Sequence, residues 1–258
     1  MPLPIGKSNA SLPLSPPAGR APAPVLTVAP ASAPTGGQAL WTPPLQGEWS
    51  TNQDGSQSDP VNLYLHGSLE QVTRAFGEAG WTQAKPKSLG ETVRYGALAI
   101  PGFLERGAVS LWNKITGRHD HLTNADPLYR EVNAMPVDPL YFDGKTQAVA
   151  FEKDNNPFGG RHHLRVFSTG KVDARGEPVW AVAASRDDGL RFDLHRPKTL
   201  FLDHTVEPNA DLERDTVLRD LRAGGAVRSV EAQAATWPER SPTQLHSEDS
   251  RVYDVTLA

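Results

Sequence analysis

The chain has 258 residues, 38% of them hydrophobic and 22% charged, with a formal charge of -4 and a pI near 6.1. This balance suits an ordinary folded core and excludes an overall basic field of the kind that draws nucleic acid or anionic lipid. There is no cysteine, which removes disulfides, thiolate metal sites and cysteine nucleophiles.

Residues 1–58 differ from everything after them. Eleven of the 23 prolines precede Leu45, mixed with Ala, Ser and Gly. Such a segment buries too little apolar surface to offset its ordering entropy, so it reads as a flexible tail or linker, with Trp41 and Trp49 as exceptions that dock on the domain or mark a partner motif. No apolar run approaches the roughly 18 residues of a membrane helix. The first residues also lack the continuous apolar core of a signal peptide.

The folded part is expected over residues 59–258. It opens on "DPVNLYLHGSLEQVTRAFGEAGW", where Val61, Leu63 and Leu65 alternate as in a strand. Ser68 and Gln71 form an S-x-x-Q capping box, Leu69, Val72 and Phe76 give the following helix an apolar stripe, and Gly80 stops it. Between residues 82 and 138, "GALAIPGFLERG" reads as helix, loop or flap, and "DPLYREVNAM" as a short helix. Asp143-Gly144 between apolar runs signals a hairpin. "HHLRVFS" and "PVWAVAASR" follow as two strands. "EPNADLERDTVLRDLRAGG" reads as a helix capped by Asn209 and ended by Gly224-Gly225, and strands are expected near 226–232 and 251–257. Strands clustered between two main helices argue for a single α+β domain with a mostly antiparallel mixed sheet.

The stretch "GGRHHLRVFS" sets Arg161, His162, His163 and Arg165 at the start of a hydrophobic strand. Closing its hairpin near Ser168 and Val179 puts His162 opposite Ser185 and Arg161 opposite Arg186. His162, Leu164 and Val166 share one face, and His163, Arg165 and Phe167 the other. Both faces are apolar beyond the cluster, as in a central strand. In the second helix Arg214 lies on one stripe with Leu218 and Leu221, and so points inward. Asp203, His204 and Asp211 gather at that helix's N-terminal end, whose partial positive charge suits an anion.

At these segments the chain resembles the LssY C-terminal domain. "PLYFDGKTQAVAFEK", "RHHLRVF", "PVWAVAASRD" and "DHTVEPNADLERDTVLRDL" stand in that domain's order, and "PVNLYLHGS…AGW" is similar to its start. The resemblance spans roughly residues 59–230. It implies a domain often attached to membrane modules resembling DedA proteins and type 2 phosphatidic acid phosphatases, and it names no reaction. The motif positions are His162, His163, Arg165, Ser185, Arg186, Asp187, His204, Asp211, Glu213, Arg214 and Asp215. Its membrane-attached relatives imply a membrane-protein partner and favour the bacterial envelope over the cytoplasm, the compartment otherwise staying open.

Three readings of these residues follow. In the first, Arg165, Arg186, Asp187, Asp211, Glu213, Arg214 and Asp215 bind an anionic small molecule, since planar guanidinium groups hold phosphate or carboxylate in bidentate fashion. In the second, His162, His163, Ser185 and His204 make a histidine- or metal-dependent hydrolase of phosphate or acyl esters. In the third, the same charges form an internal ion-pair network with Glu152, Asp187, Asp211 and Asp215. No cofactor and no metal set is expected, because the histidines match no compact ligand motif. The type 2 phosphatase pattern S-R-x5-H begins at Ser185-Arg186, but it needs a histidine where Phe192 stands, and His195 is three positions late. His119 and His121 of "RHDH" read as solvated surface.

Overall fold

The computed structural model describes residues 39–86, 116, 136–156, 160–192, 202–238 and 244–258. The two segments expected around "GALAIPGFLERG" and "DPLYREVNAM", and His119 and His121, lie outside the described residues.

The first long strand, β2 (Gln57–His66), leads through a tight turn into helix α1 (Leu69–Glu78). The capping box forms as expected. Ser68 Oγ accepts the Gln71 backbone N–H at 3.2 Å, and Gln71 Oε1 accepts the Ser68 N–H at 2.7 Å. Val72, Ala75 and Phe76 are buried, and Gly80 takes the left-handed conformation that ends the helix. The second helix, α2 (Ala210–Ala223), is capped by Asn209, whose Oδ1 accepts the Asp211 N–H at 2.9 Å. Gly224 caps its C-terminus and Gly225 follows at positive φ.

The centre of the domain is a mostly antiparallel sheet. Its middle strands are β8 (Val149–Asn156), β9 (Gly160–Val172), β10 (Pro178–Phe192) and β2, in that order. The short β3 (Thr82–Gln83) extends the β8 edge. On the other side β2 pairs antiparallel with β1 (Glu48–Thr51) and parallel with β13 (Arg251–Leu257). β12 (Val227–Ala234) pairs with β13, and β11 (Leu202–Val206) pairs with the far half of β10. Beyond β1 come β6 (Tyr141–Phe142) and β7 (Lys145–Thr146), joined by Asp143-Gly144 with both residues at positive φ, the geometry of a type I′ hairpin. The remaining short pair, β4 (Lys85–Pro86) with β5 (Pro136–Val137), stands apart from this sheet. The α+β fold with a mostly antiparallel mixed sheet is therefore as expected, with the two expected main helices present among the described residues.

Three details differ. First, residues assigned to the tail belong to the sheet. Glu48–Thr51 pairs with β2, and Trp41 and Trp237 pack against a buried cluster containing Tyr64 and Phe167. Aromatic anchors overcome the Pro/Ala composition at this end of the segment. Second, Val61, Leu63 and Leu65 do not share a face. The β2–β10 register slips between Val182 and Ala183, leaving Asn62 as an extra residue, and Val61 then joins the cluster away from the helices. Third, the β9–β10 register is offset by one from the expected one. His163 faces Ser185, His162 faces Arg186 and Arg161 faces Asp187, because an irregularity between Pro178 and Trp180 shifts the ladder.

The sheet has a core on each face. Both helices cover one face, where Phe76, Val217 and Leu221 meet Leu63, Phe151, Leu164, Val166 and Val182, all but fully buried. Full burial of one such side chain contributes roughly 1.5–3 kcal/mol. The opposite face packs Val61, Tyr64, Phe167, Ala181 and Ala183 under Leu140, Phe142 and Val252. The central-strand reading of β9 and β10 follows from this double cover.

Gly47 shows how the N-terminal end is held. A Cβ there would run into the Trp237 ring, which in turn stacks edge-on against Trp49 at 5.6 Å. Gly47→Ala is expected to cost about 1–3 kcal/mol by forcing the ring aside, read as a lower midpoint in a tryptophan-fluorescence melt. An unchanged midpoint would show that this aromatic dock carries no stability.

Candidate functional site

The motif residues fall into three separate groups. The strand pleat divides the first two: neighbouring residues on β9 point to opposite faces, so His162 and His163 cannot share a pocket.

On the face away from the helices, Glu152, His163 and Ser185 stand in one row across β8, β9 and β10. Arg161 and Asp187 form the next row. Glu152 is fully buried, Ser185 and Asp187 nearly so. Arg161 binds both carboxylates, with Nη2 at 2.7 Å from Asp187 Oδ2 and Nη1 at 3.2 Å from Glu152 Oε1. His163 Nε2 lies 3.3 Å from Asp187 Oδ1, and Arg165 Nη1 donates to Asp59 Oδ2 at 3.1 Å. Asp59 was not anticipated, since a lone acid before a strand gives no signal that it will be buried.

On the helix face, His162 Nδ1 lies 2.7 Å from Oε2 of Glu213, which is almost fully buried. Burial pushes the Glu213 carboxyl above its usual range, against the opposing pull of His162 and the charge of Arg186. Arg186 is exposed at this end of β10. Beside them Lys153 binds Asp220 at 2.7 Å, and Trp81 donates to the same carboxylate.

The third group surrounds Arg214. Its guanidinium, 1% exposed, meets Asp211 at 2.9 Å, Asp215 at 2.8 Å and Asp249 at 2.8 Å, and lies over the Tyr253 ring at 4.4 Å. Asp211 also accepts the N–H groups of Glu248 and Asp249 and the Ser247 hydroxyl, stitching the last loop to the start of α2. The inward position of Arg214 is as expected. Its pairing with Asp211 and Asp215 follows the expected ion-pair network, and Asp249 is the addition, distant in sequence.

The structure thus brings His162 to Glu213, and His163 to Ser185 and Asp187. It does not gather Arg165, Arg186 and Arg214: the first and third have separate carboxylate partners. The backbone of His204 pairs with Leu190 in β11, and its side chain lies outside what is described. No group of three or more His, Asp or Glu suited to a metal occurs among the described residues.

A family model described as LssY C-terminus matches residues 43–98 and 115–251. The chain belongs to the LssY C-terminal family. The match starts near β1 of the LssY C-terminal domain. No curated protein and no solved structure matches the chain. No helix among the described residues is long and apolar enough to cross a membrane.

The pH response of the domain follows from His163. Burial, the largest influence, pushes its pKa below the ordinary 6.5, against the pull of Asp187. Between the folded and unfolded values the unfolded chain therefore binds more protons. The neutral ring's contribution is complete above the unfolded value and is lost as pH falls through 6.5 toward the folded one. Melting midpoints measured from about pH 7.5 to 5.5 should fall more steeply in the wild type than in His163→Gln. Equal slopes would mean that the imidazole accepts its proton without cost.

Proposed function

We propose that this LssY C-terminal domain is a non-catalytic module whose motif residues form internal ion-pair networks, and that it works by recognition rather than turnover. The observation carrying this reading is the setting of Ser185. Its Oγ is 3.4 Å from both ring nitrogens of His163, so neither nitrogen is aimed at it as a base, and the residue is 1% exposed. A nucleophile needs both a directed base and a path for substrate. Charge supports the same reading. Around His163 the carboxylates of Asp59, Glu152 and Asp187 outnumber the guanidinium groups of Arg161 and Arg165, which disfavours an anionic ligand there.

The test is direct. The full chain, incubated with p-nitrophenyl phosphate and p-nitrophenyl acetate, with and without added zinc or manganese, should give no turnover above buffer. Turnover that disappears in Ser185→Ala or His163→Gln would overturn the proposal in favour of a hydrolase.

One observation favours a second reading, an oxyanion at Arg165. Its Nε–H is buried and has no acceptor among the described residues, and a guanidinium edge of this kind suits phosphate or carboxylate. Phosphate would then raise the melting midpoint of the wild type and leave that of Arg165→Gln unchanged. No rise in either protein excludes the reading.

A further inference from the structure

The sheet ends beyond β13 at β12, which among the described residues is the longest strand paired along one side alone. Backbone direction on this strand follows from its ladder with β13. Ala235 donates its N–H to the Ser250 carbonyl at 2.9 Å. At alternate positions Ser229, Glu231 and Gln233 therefore also turn their backbone groups toward β13. Val230, Ala232 and Ala234 turn theirs outward, where no backbone partner meets them among the described residues.

Edge strands ordinarily carry a lysine, a proline or a bulge that keeps a second strand away. Val227–Ala234 has no lysine and no proline, and its irregularity, at Arg228, lies at one end. Ala232 and Ala234 are exposed and small, so another backbone can come alongside. Val230 is half-buried against the core that the helices cover.

We propose that this edge is a homodimer interface, β12 pairing antiparallel with β12 of a second copy about a twofold axis at Val230. The strand holds one basic residue, Arg228, and one acidic residue, Glu231, so it complements its own antiparallel image. Outward backbone groups must meet outward groups, and the axis keeps each side chain on its own face of the sheet. Pairing centred on Glu231 sets the two Glu231 carboxylates opposite each other, which repels. Pairing centred on Val230 sets Ser229 opposite Glu231 of the second copy, with the bulged Arg228 beside that carboxylate, twice by symmetry. The two Val230 side chains then cover each other on the helix side. None of the motif residues lies on this strand, so the dimer is independent of whether the domain turns over a substrate.

Sedimentation velocity of the full chain over a wide range of concentration tests it. The 28.0 kDa chain should move toward twice its mass as concentration rises. Arg228→Glu should weaken association by about tenfold, and adding Glu231→Arg should restore it. Ala232→Pro removes an outward N–H while sparing the ladder to β13, and should leave the chain monomeric. The chain has no cysteine, so a single introduced thiol reports the register. Facing hydrogen-bonded residues lie about 5.5 Å apart at Cα, within disulfide reach. Oxidised Val230→Cys should form a covalent dimer, and Ala234→Cys, at the far end of the strand, should not. The inference is overturned by a chain that stays monomeric throughout, by a dimer that survives Ala232→Pro, or by association indifferent to Arg228→Glu. Crosslinking through Ala234→Cys that matches or exceeds that through Val230→Cys overturns it equally.

Discussion

Arg214→Ala is expected to be among the most damaging single substitutions in the domain, lowering the unfolding free energy by about 3–5 kcal/mol. The guanidinium is 1% exposed and answers Asp211 and Asp249, which are 7% and 33% exposed in their side chains. Its removal leaves the inner carboxylate without its ion-pair partner in a setting where water cannot replace it. It also empties the space over Tyr253. Burial works against the Arg214 charge, but the hydrogen bonds to Asp249 and Asp215 outweigh it and hold the guanidinium firmly protonated. Lysine cannot reproduce this fork, so Arg214→Lys should recover only part of the loss. In a thermal melt the alanine variant should fall by on the order of 10 °C. Because Asp211 also binds the backbone of Glu248 and Asp249, the loop from His246 to Asp249 should become protease-sensitive first. A midpoint within a degree or two of wild type would show that the cluster is solvated in solution and would remove the network reading at this end of α2.

The two helices were legible because their signals are local. A capping box, an asparagine cap and terminal glycines each act within four residues, and the apolar stripes of Val72 and Phe76 and of Leu218 and Leu221 choose the buried side. The hairpin at Asp143-Gly144 was legible for the same reason. Register was not. Which residue of β9 faces Ser185 depends on an irregularity beside Pro178, and the face of Val61 depends on Asn62 bulging out. Neither leaves a mark in residue type. The candidate site suffered from the same limit. The types gathered at residues 159–187 pointed to a charged cluster, and the alternation that places His162 and His163 on opposite faces was itself legible; what was not legible was which carboxylates each would meet. Asp249 and Asp59 were invisible as partners, since ion pairs across long sequence separations carry no spacing rule.

Arg161→Ala and a triple variant, Glu152→Gln with Arg161→Met and Asp187→Asn, are expected to diverge sharply. The single change should cost about 3–5 kcal/mol, because it removes the guanidinium that bridges two buried carboxylates. Glu152 has no exposed side-chain surface and Asp187 only 4%. The triple variant removes the charges together and keeps the shapes, so it should recover at least half of that loss in chemical denaturation. Such recovery marks a network whose members stabilise only one another. A functional site behaves differently, because its charges are kept for a ligand, and deleting them singly often raises stability. Should the single variant prove as stable as wild type, or more so, Arg161 would be held there for a ligand, and the oxyanion reading at neighbouring Arg165 would gain further support.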